Sequence, residues 1–243
     1  MLNKDTAICL RKVNYSETSQ VVTLFGRDSG KIPAMAKGSR RAKSSFDGPI
    51  EVLSYGEIVF ADSASRKLAT LTEFQQRPVF LQLRKRTFTL NIAFFAVELI
   101  DSFLQDHDPH PLLFDNFVRT LKDVQASDEL ADALKLLILF QLGLLQEVGT
   151  RPVLNKCANC SAPFENDWRH TYFCSSANGL VCNNCEASFV DKIKLSGPCA
   201  ACLADLKQIA ASEGTTLNEI QRVLIYHFTE LLHRPPRMAK YFT

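Results

Sequence analysis

The residues most able to do chemistry in this chain are its eight cysteines, seven of which fall between Cys157 and Cys202. Six of them form three C-x-x-C pairs, Cys157/Cys160, Cys182/Cys185 and Cys199/Cys202, with Cys174 between them, while Cys9 stands alone in an apolar, strand-like segment. Two intervening residues let both thiolates of a pair approach one ion from a single tight turn, and two such turns supply the four sulfurs of a tetrahedral zinc site. Cys157, Cys160, Cys182 and Cys185 are the preferred ligands, because the 21 residues between Cys160 and Cys182 match the spacing of a ribbon. Tyr172, Phe173, Gly179 and Leu180 read as a hairpin packing beside the metal. A second site would need one ligand beyond Cys174, Cys199 and Cys202, with His170 the nearest candidate; these three read first as buried or free thiols, with that second site, or one zinc whose ligands include Cys199 and Cys202, as the alternatives. Four thiolates leave no coordination position for water, which makes the expected zinc structural, one per chain.

Other motifs do not add up to catalysis. Pro198-Cys199-Ala-Ala-Cys202 resembles half of a zinc-deaminase signature, but no H-x-E supplies the other half. Gly26-Arg-Asp-Ser-Gly30-Lys31 is one residue short of a phosphate-binding loop, and Ile32 stands where a Ser or Thr would hold magnesium, so it reads as a β-turn. None of His107, His110, His170, His227 and His233 has a local motif pairing it with a nucleophile. The expectation is a protein that is not an enzyme and uses no nucleotide.

The elements that must position these groups follow from periodicity. Residues 1–77 read as β structure, with strands at Thr6–Val13, Gln20–Phe25, Lys31–Ala36, Ile50–Ala61 with a break near Gly56, and Lys67–Phe74. Turns at Arg27–Gly30 and Asp62–Ser65 separate them, and five short strands suit an OB-fold barrel. From Pro78 the apolar period becomes helical: Phe88, Ile92, Phe95, Leu99 and Phe103 share a face, a second helix covers Pro111–Val124, and Ser127 reads as the N-cap of a third that Gly149 stops. Thr216-Leu-Asn-Glu219 has the form of a capping box opening a last helix. The expected fold is thus α+β and multidomain: an OB-fold at 1–77, a helical domain at 78–154 and 203–243, and a zinc module inserted at 155–202.

Charge places a candidate interface. The net charge is only +2, but residues 1–80 hold 12 Lys and Arg against 8 Asp and Glu, while the later parts are balanced or acidic. The densest run is Lys37, Arg40, Arg41 and Lys43, directly after a strand, where OB-fold loops border a groove for a nucleic-acid backbone. Arg11, Lys31, Arg66 and Lys67 extend the candidate DNA-binding set. Tyr15, Phe25 and Phe46 are each either base-stacking or core residues. The opening residues, Met1 to Asp5, lead into a mixed stretch and no apolar run approaches about 18 residues, so neither an export signal nor a membrane span is expected. A cytoplasmic, reducing location then favours metal over disulfides.

Several segments, in this order and spacing, carry a resemblance: Tyr15-Ser-Glu-Thr-Ser19 with Val22-Thr-Leu-Phe25, Gly30-Lys31, Ala36-Lys-Gly-Ser-Arg-Arg41, Lys43-Ser44, Leu68-Ala-Thr-Leu-Thr-Glu73, Gly149-Thr-Arg-Pro-Val-Leu-Asn-Lys-Cys157, and the cysteine pair after Asn178-Gly-Leu180. Together they resemble the RecO family of bacterial DNA-repair proteins over nearly the whole chain. The resemblance implies a recombination mediator that binds single-stranded and double-stranded DNA and anneals complementary strands. It also implies two partners, RecR, with which the family loads recombinase, and the C-terminal tail of single-strand-binding protein, with a nucleoid-associated, cytoplasmic location. The chain departs from the family pattern in its extra Cys174, Cys199 and Cys202. A rival reading is a zinc-ribbon transcription or translation factor. Against it, the segment from Cys157 to Cys202 offers only Arg169, Lys192 and Lys194 beside Glu165, Asp167, Glu186 and Asp191.

Overall fold

A computed structural model of the protein describes residues 2–62, 68–165 and 168–242. Five strands, β1 (Leu2–Asn14), β2 (Gln20–Gly26), β3 (Gly30–Ala36), β4 (Tyr55–Ala61) and β5 (Ala69–Arg77), close a barrel in the order β1-β2-β3-β5-β4. All pairings are antiparallel except β3 with β5. This is the OB-fold topology expected from the sequence.

The barrel interior follows from the two-residue period of a strand. Val22 and Leu24, then Ile32, Ala34 and Ala36, then Ile58 and Phe60 face inward and are buried. β5 breaks the period, since Leu71 and Phe74 are three apart and both inside. A bulge accounts for this: Phe60 pairs with Leu71 and Val59 with Glu73, leaving Thr72 as the extra residue. Phe46 and Ile50, from the long β3–β4 loop, enter the same core, each contributing roughly 1.5–3 kcal/mol of burial. Cys9 lies inside as well, where burial pushes its thiol up to about 12 and makes it inert.

Two features of this region differ from expectation. Residues 50–54 are not strand: Leu53 has a left-handed backbone (φ 72°), and β4 begins at Tyr55. The expected break near Gly56 falls one residue earlier, at the start of β4, and Gly56 itself is a point of close approach, because a Cβ there would lie 1.9 Å from the Gln75 carbonyl oxygen.

β3 meets β5 only through Ala34–Ala36. On that side Lys31 instead bridges Asp106, and the His107 amide donates to the Lys31 carbonyl at 2.9 Å. The segment that covers this seam follows α1 (Thr87–Phe103), which buries Ile92, Phe95, Ala96, Leu99 and Ile100. α2 (Pro111–Ala126) presents Phe114 edge-on to Phe25, ring centroids 5.3 Å apart, and Asp115 to Arg27. By contacts the chain divides into two compact units, Met1–Ala126 and Ser127–Thr243. This partition groups α1 and α2 with the barrel, where the sequence reading grouped them with the later helices.

In the second unit α3 (Leu130–Glu147) begins after Glu129, so Ser127 is not its N-cap. Gly149 ends it in a left-handed conformation (φ 75°), its amide donating to the Gln146 carbonyl. A three-stranded sheet, β7-β6-β8, combines β6 (Thr171–Cys174), β7 (Gly179–Cys182) and β8 (Lys192–Leu195). The expected hairpin around Tyr172 and Leu180 is β6–β7. α4 (Gly197–Ala204) is capped by Ser196, whose Oγ accepts from the Cys199 amide. α5 (Gly214–Leu232) starts two residues ahead of the expected capping box, and Glu219 does not cap it. Its carboxylate accepts instead from the Ser196 amide and hydroxyl. Tyr226 and His227 of α5 make two more anchors: the phenol donates to the Asp191 carbonyl at 3.0 Å, and the imidazole meets Ser175 Oγ at 2.8 Å. Among the described residues no helix is long and apolar enough to cross a membrane.

Candidate nucleic-acid interface and metal centre

The basic loop is built on a buried amide. Gln20 begins β2 at an inward position and is fully buried. Its Oε1 accepts from Ser39 Oγ (3.0 Å) and the Ile50 amide (2.9 Å), and its Nε2 donates to the Ile50 carbonyl (3.0 Å). The loop is also zipped to the β1–β2 turn. The Gly38 amide donates to Ser19 Oγ, the Arg40 amide to the Thr18 carbonyl, and the Arg40 guanidinium to the Ser16 carbonyl. Gly38 adopts φ 74°, a conformation that costs glycine little.

These constraints bury Ser39 and turn Lys37, Arg40, Arg41 and Lys43 out to solvent. Their electrostatic state separates them from other barrel cations. Lys12 pairs with Glu51, Arg27 with Asp28 and Asp115, and Arg77 with Glu57. The four loop cations form no ion pair among the described residues, so their charge is available to a polyanion.

The remaining sequence candidates separate. Arg11 is exposed on β1 and donates to Thr23 Oγ1 at 3.4 Å. Lys31 is held differently: its side chain is 13% exposed, its ammonium donates to the Asp101 carbonyl at 2.9 Å, and Asp101 and Asp106 flank it. A cation at the C-terminal end of a helix is held by free carbonyls and the helix dipole, and Lys31 serves α1 in that way. Arg66 and Lys67 lie outside the described residues. Sequence reasoning missed Gln20, although a polar residue at the inward phase of an otherwise apolar strand was a readable signal. It also passed over Arg84 and Lys85, both exposed and unpaired among the described residues.

The second site is the cysteine cluster. The sulfurs of Cys157, Cys160, Cys182 and Cys185 lie within 4.8 Å of one another, the only such group of metal-binding side chains among the described residues. Cys160 and Cys182 are 3.8 Å apart, close to the roughly 3.8 Å edge of a tetrahedron with Zn–S bonds of about 2.3 Å. Each pair sits on a tight turn: the Ser161 amide donates to the Cys157 carbonyl and the Cys185 amide to the Cys182 carbonyl. The Cys182 amide also points at Cys157 Sγ, 3.5 Å away. Burial opposes a charge on Cys157, but backbone amides of Cys160, Cys182 and Asn159 outweigh it and hold the thiol at about 6. Burial pushes Cys182 up to about 12. The donor set therefore fits a structural zinc.

The extra cysteines are not among the four clustered sulfurs. Cys174 is buried beside it and contacts Ser176 and Asp191, Cys202 meets Ser212 Oγ at 3.0 Å, and burial drives the Cys199 thiol above its ordinary range.

Comparison with known proteins agrees across both units. A family model described as "Recombination protein O N terminal" matches residues 1–78, and one described as "Recombination protein O C terminal" matches residues 84–240. The DNA repair protein RecO of Rhodopirellula baltica is 35% identical over 182 residues, 75% of this chain and 66% of that protein. That of Salinibacter ruber is 37% identical over 150 residues, covering 62% and 57%, and that of Bacillus pumilus 29% identical over 237 residues, covering 95% and 89%. The match thus spans just under two thirds of the first protein's length and less of the second's. None of these names is an enzyme's.

Proposed function

The chain belongs to the RecO family, and from that premise we propose that it is a DNA-repair and recombination mediator. It binds single-stranded DNA, binds duplex DNA as well, and anneals complementary strands. With RecR it helps load recombinase onto DNA coated by single-strand-binding protein, whose C-terminal tail it engages. The observation that carries the DNA-binding part is the set of four exposed, unneutralised cations, Lys37, Arg40, Arg41 and Lys43, on a barrel loop held in place by Gln20. Arg11 contributes from the neighbouring strand, and Arg66 and Lys67 belong to the same proposed set.

Two bare strands repel each other as polyanions. A rim that neutralises backbone phosphates lowers that repulsion and leaves base edges free to pair, so annealing is driven by binding and base-pairing energy without nucleotide hydrolysis. Docking on the coat protein's tail raises local concentration with no further DNA contact. The proposed division of labour is an OB-fold at 1–77, a helical domain at 78–154 and 203–243, and a module at 155–202 with one structural zinc on Cys157, Cys160, Cys182 and Cys185. The zinc-ribbon factor has less support: Lys192 is tied to Glu186 and lies over the Tyr172 ring, which leaves that module little free positive charge.

Mixing the protein with labelled complementary strands, bare or coated with single-strand-binding protein, tests the assignment. Annealing should proceed without nucleotide and slow at high salt. A strict ATP requirement, or no acceleration with either kind of strand, would count against it.

A further inference from the structure

Of Tyr15, Phe25 and Phe46, two are settled as core: Phe25 is 0% and Phe46 3% exposed. Tyr15 is 70% exposed, and among the described residues of 1–126 it is the one aromatic side chain standing mostly in water. Its backbone is nonetheless fixed. The Tyr15 and Ser16 amides both donate to the Ser19 carbonyl, at 3.0 and 3.2 Å, and Ser16 Oγ accepts from the amides of Thr18 and Ser19. The same turn carries Arg40, whose guanidinium donates to the carbonyl of Ser16, the residue after Tyr15. An exposed ring thus stands on an ordered turn, next to the residue whose carbonyl holds Arg40, a cation with no ion pair among the described residues.

Resting on the reading of the rim as a DNA interface, we infer that Tyr15 is a base-stacking residue and sets the preference of that rim for single strands over duplex. A phosphate held by Arg40 brings its nucleotide's base to the turn, where the phenol ring offers a π-face. Unpaired bases present their own faces to such a ring, whereas in a duplex those faces are already stacked. Because the turn is preorganised, little backbone freedom is lost when the ring is engaged.

The test compares the full chain, Tyr15→Ala and Tyr15→Phe for binding to single-stranded and duplex oligonucleotides of equal length across a salt series. Tyr15→Ala should weaken single-strand binding roughly 5- to 150-fold, the range for losing one stacked base, and change duplex binding less than about twofold. It should leave the salt slope unaltered, since no phosphate contact is lost. Tyr15→Phe should restore wild-type binding. On a strand whose bases are replaced by abasic residues, wild type and Tyr15→Ala should bind alike. Equal weakening of both DNA forms, or no change on single strands, would overturn the inference while leaving the basic rim intact. Wild type binding no DNA at all would instead bring down the reading of the rim itself.

Discussion

Ser39 Oγ donates to Oε1 of Gln20 at 3.0 Å, and both side chains are wholly buried. Since the Gln20 amide also accepts from the Ile50 N–H and donates to the Ile50 carbonyl, one side chain ties together the two arms of the β3–β4 loop. Replacing Gln20 with Leu leaves the Ser39 hydroxyl and both Ile50 backbone groups unpaired in the barrel mouth. The expected cost is about 1–3 kcal/mol for each group left without a partner. Ser39→Ala, which leaves the Ile50 bonds in place, should cost less. Denaturant midpoints of the two variants check this order, and an equal or reversed effect would show that the loop is held some other way.

DNA binding should be electrostatic and seated on this loop. Affinity for a single strand should fall with salt on a log–log slope of about −0.7 per phosphate contact. Changing Lys37, Arg40, Arg41 and Lys43 together to Ala should lower both the affinity and the steepness of that slope. A quadruple variant that binds like wild type at every salt concentration would place the interface elsewhere.

One zinc per chain should survive dialysis and be measurable by elemental analysis, because the four sulfurs already lie within 4.8 Å of one another. Metal binding should contribute roughly 10 kcal/mol or more to folding of the local module. Cys157→Ser combined with Cys182→Ser should therefore unfold residues 155–202, seen as a loss of amide protection. Two zinc ions per chain would give Cys174, Cys199 and Cys202 a role, although no second group of metal-binding side chains forms among the described residues.

Acid should weaken the second unit through His227. The ring is fully buried, its Nε2 meets no hydrogen-bonding group among the described residues, and burial lowers its pKa to about 4. Since the unfolded value is about 6.5, the unfolded state takes up the proton first as pH falls. The contribution is complete above pH 6.5 and is lost progressively toward pH 4, where the loss amounts to roughly 3 kcal/mol. Stability measured from pH 7 to 4 should fall less steeply in His227→Gln than in wild type. Identical slopes would assign the acid sensitivity to other groups.

The barrel was legible because its strands largely alternate, as Val22 and Leu24 show, and the cysteine cluster because C-x-x-C spacing is itself a geometric constraint. What could not be read came from contacts distant in sequence. Lys31 looked like a free cation until the end of α1 was folded against it. Glu219 stood in capping-box position, but Ser196, 23 residues earlier, claimed its carboxylate. Ser127 is a good N-cap residue that lies ahead of its helix, and Gly56, beside the start of β4, is required by the close approach of the Gln75 carbonyl. Local chemistry proposed each role, and tertiary partners reassigned it.

The partial pairing of β3 has a practical corollary for dissecting the protein. A fragment stopped at residue 77 would contain all five strands, yet it would bare the Gly30–Pro33 edge that the segment around Asp106 and His107 now covers. Unprotected edges of this kind recruit other chains. The smallest portable piece carrying the basic rim is therefore one that runs through α2, and a shorter excision would report on aggregation rather than on DNA.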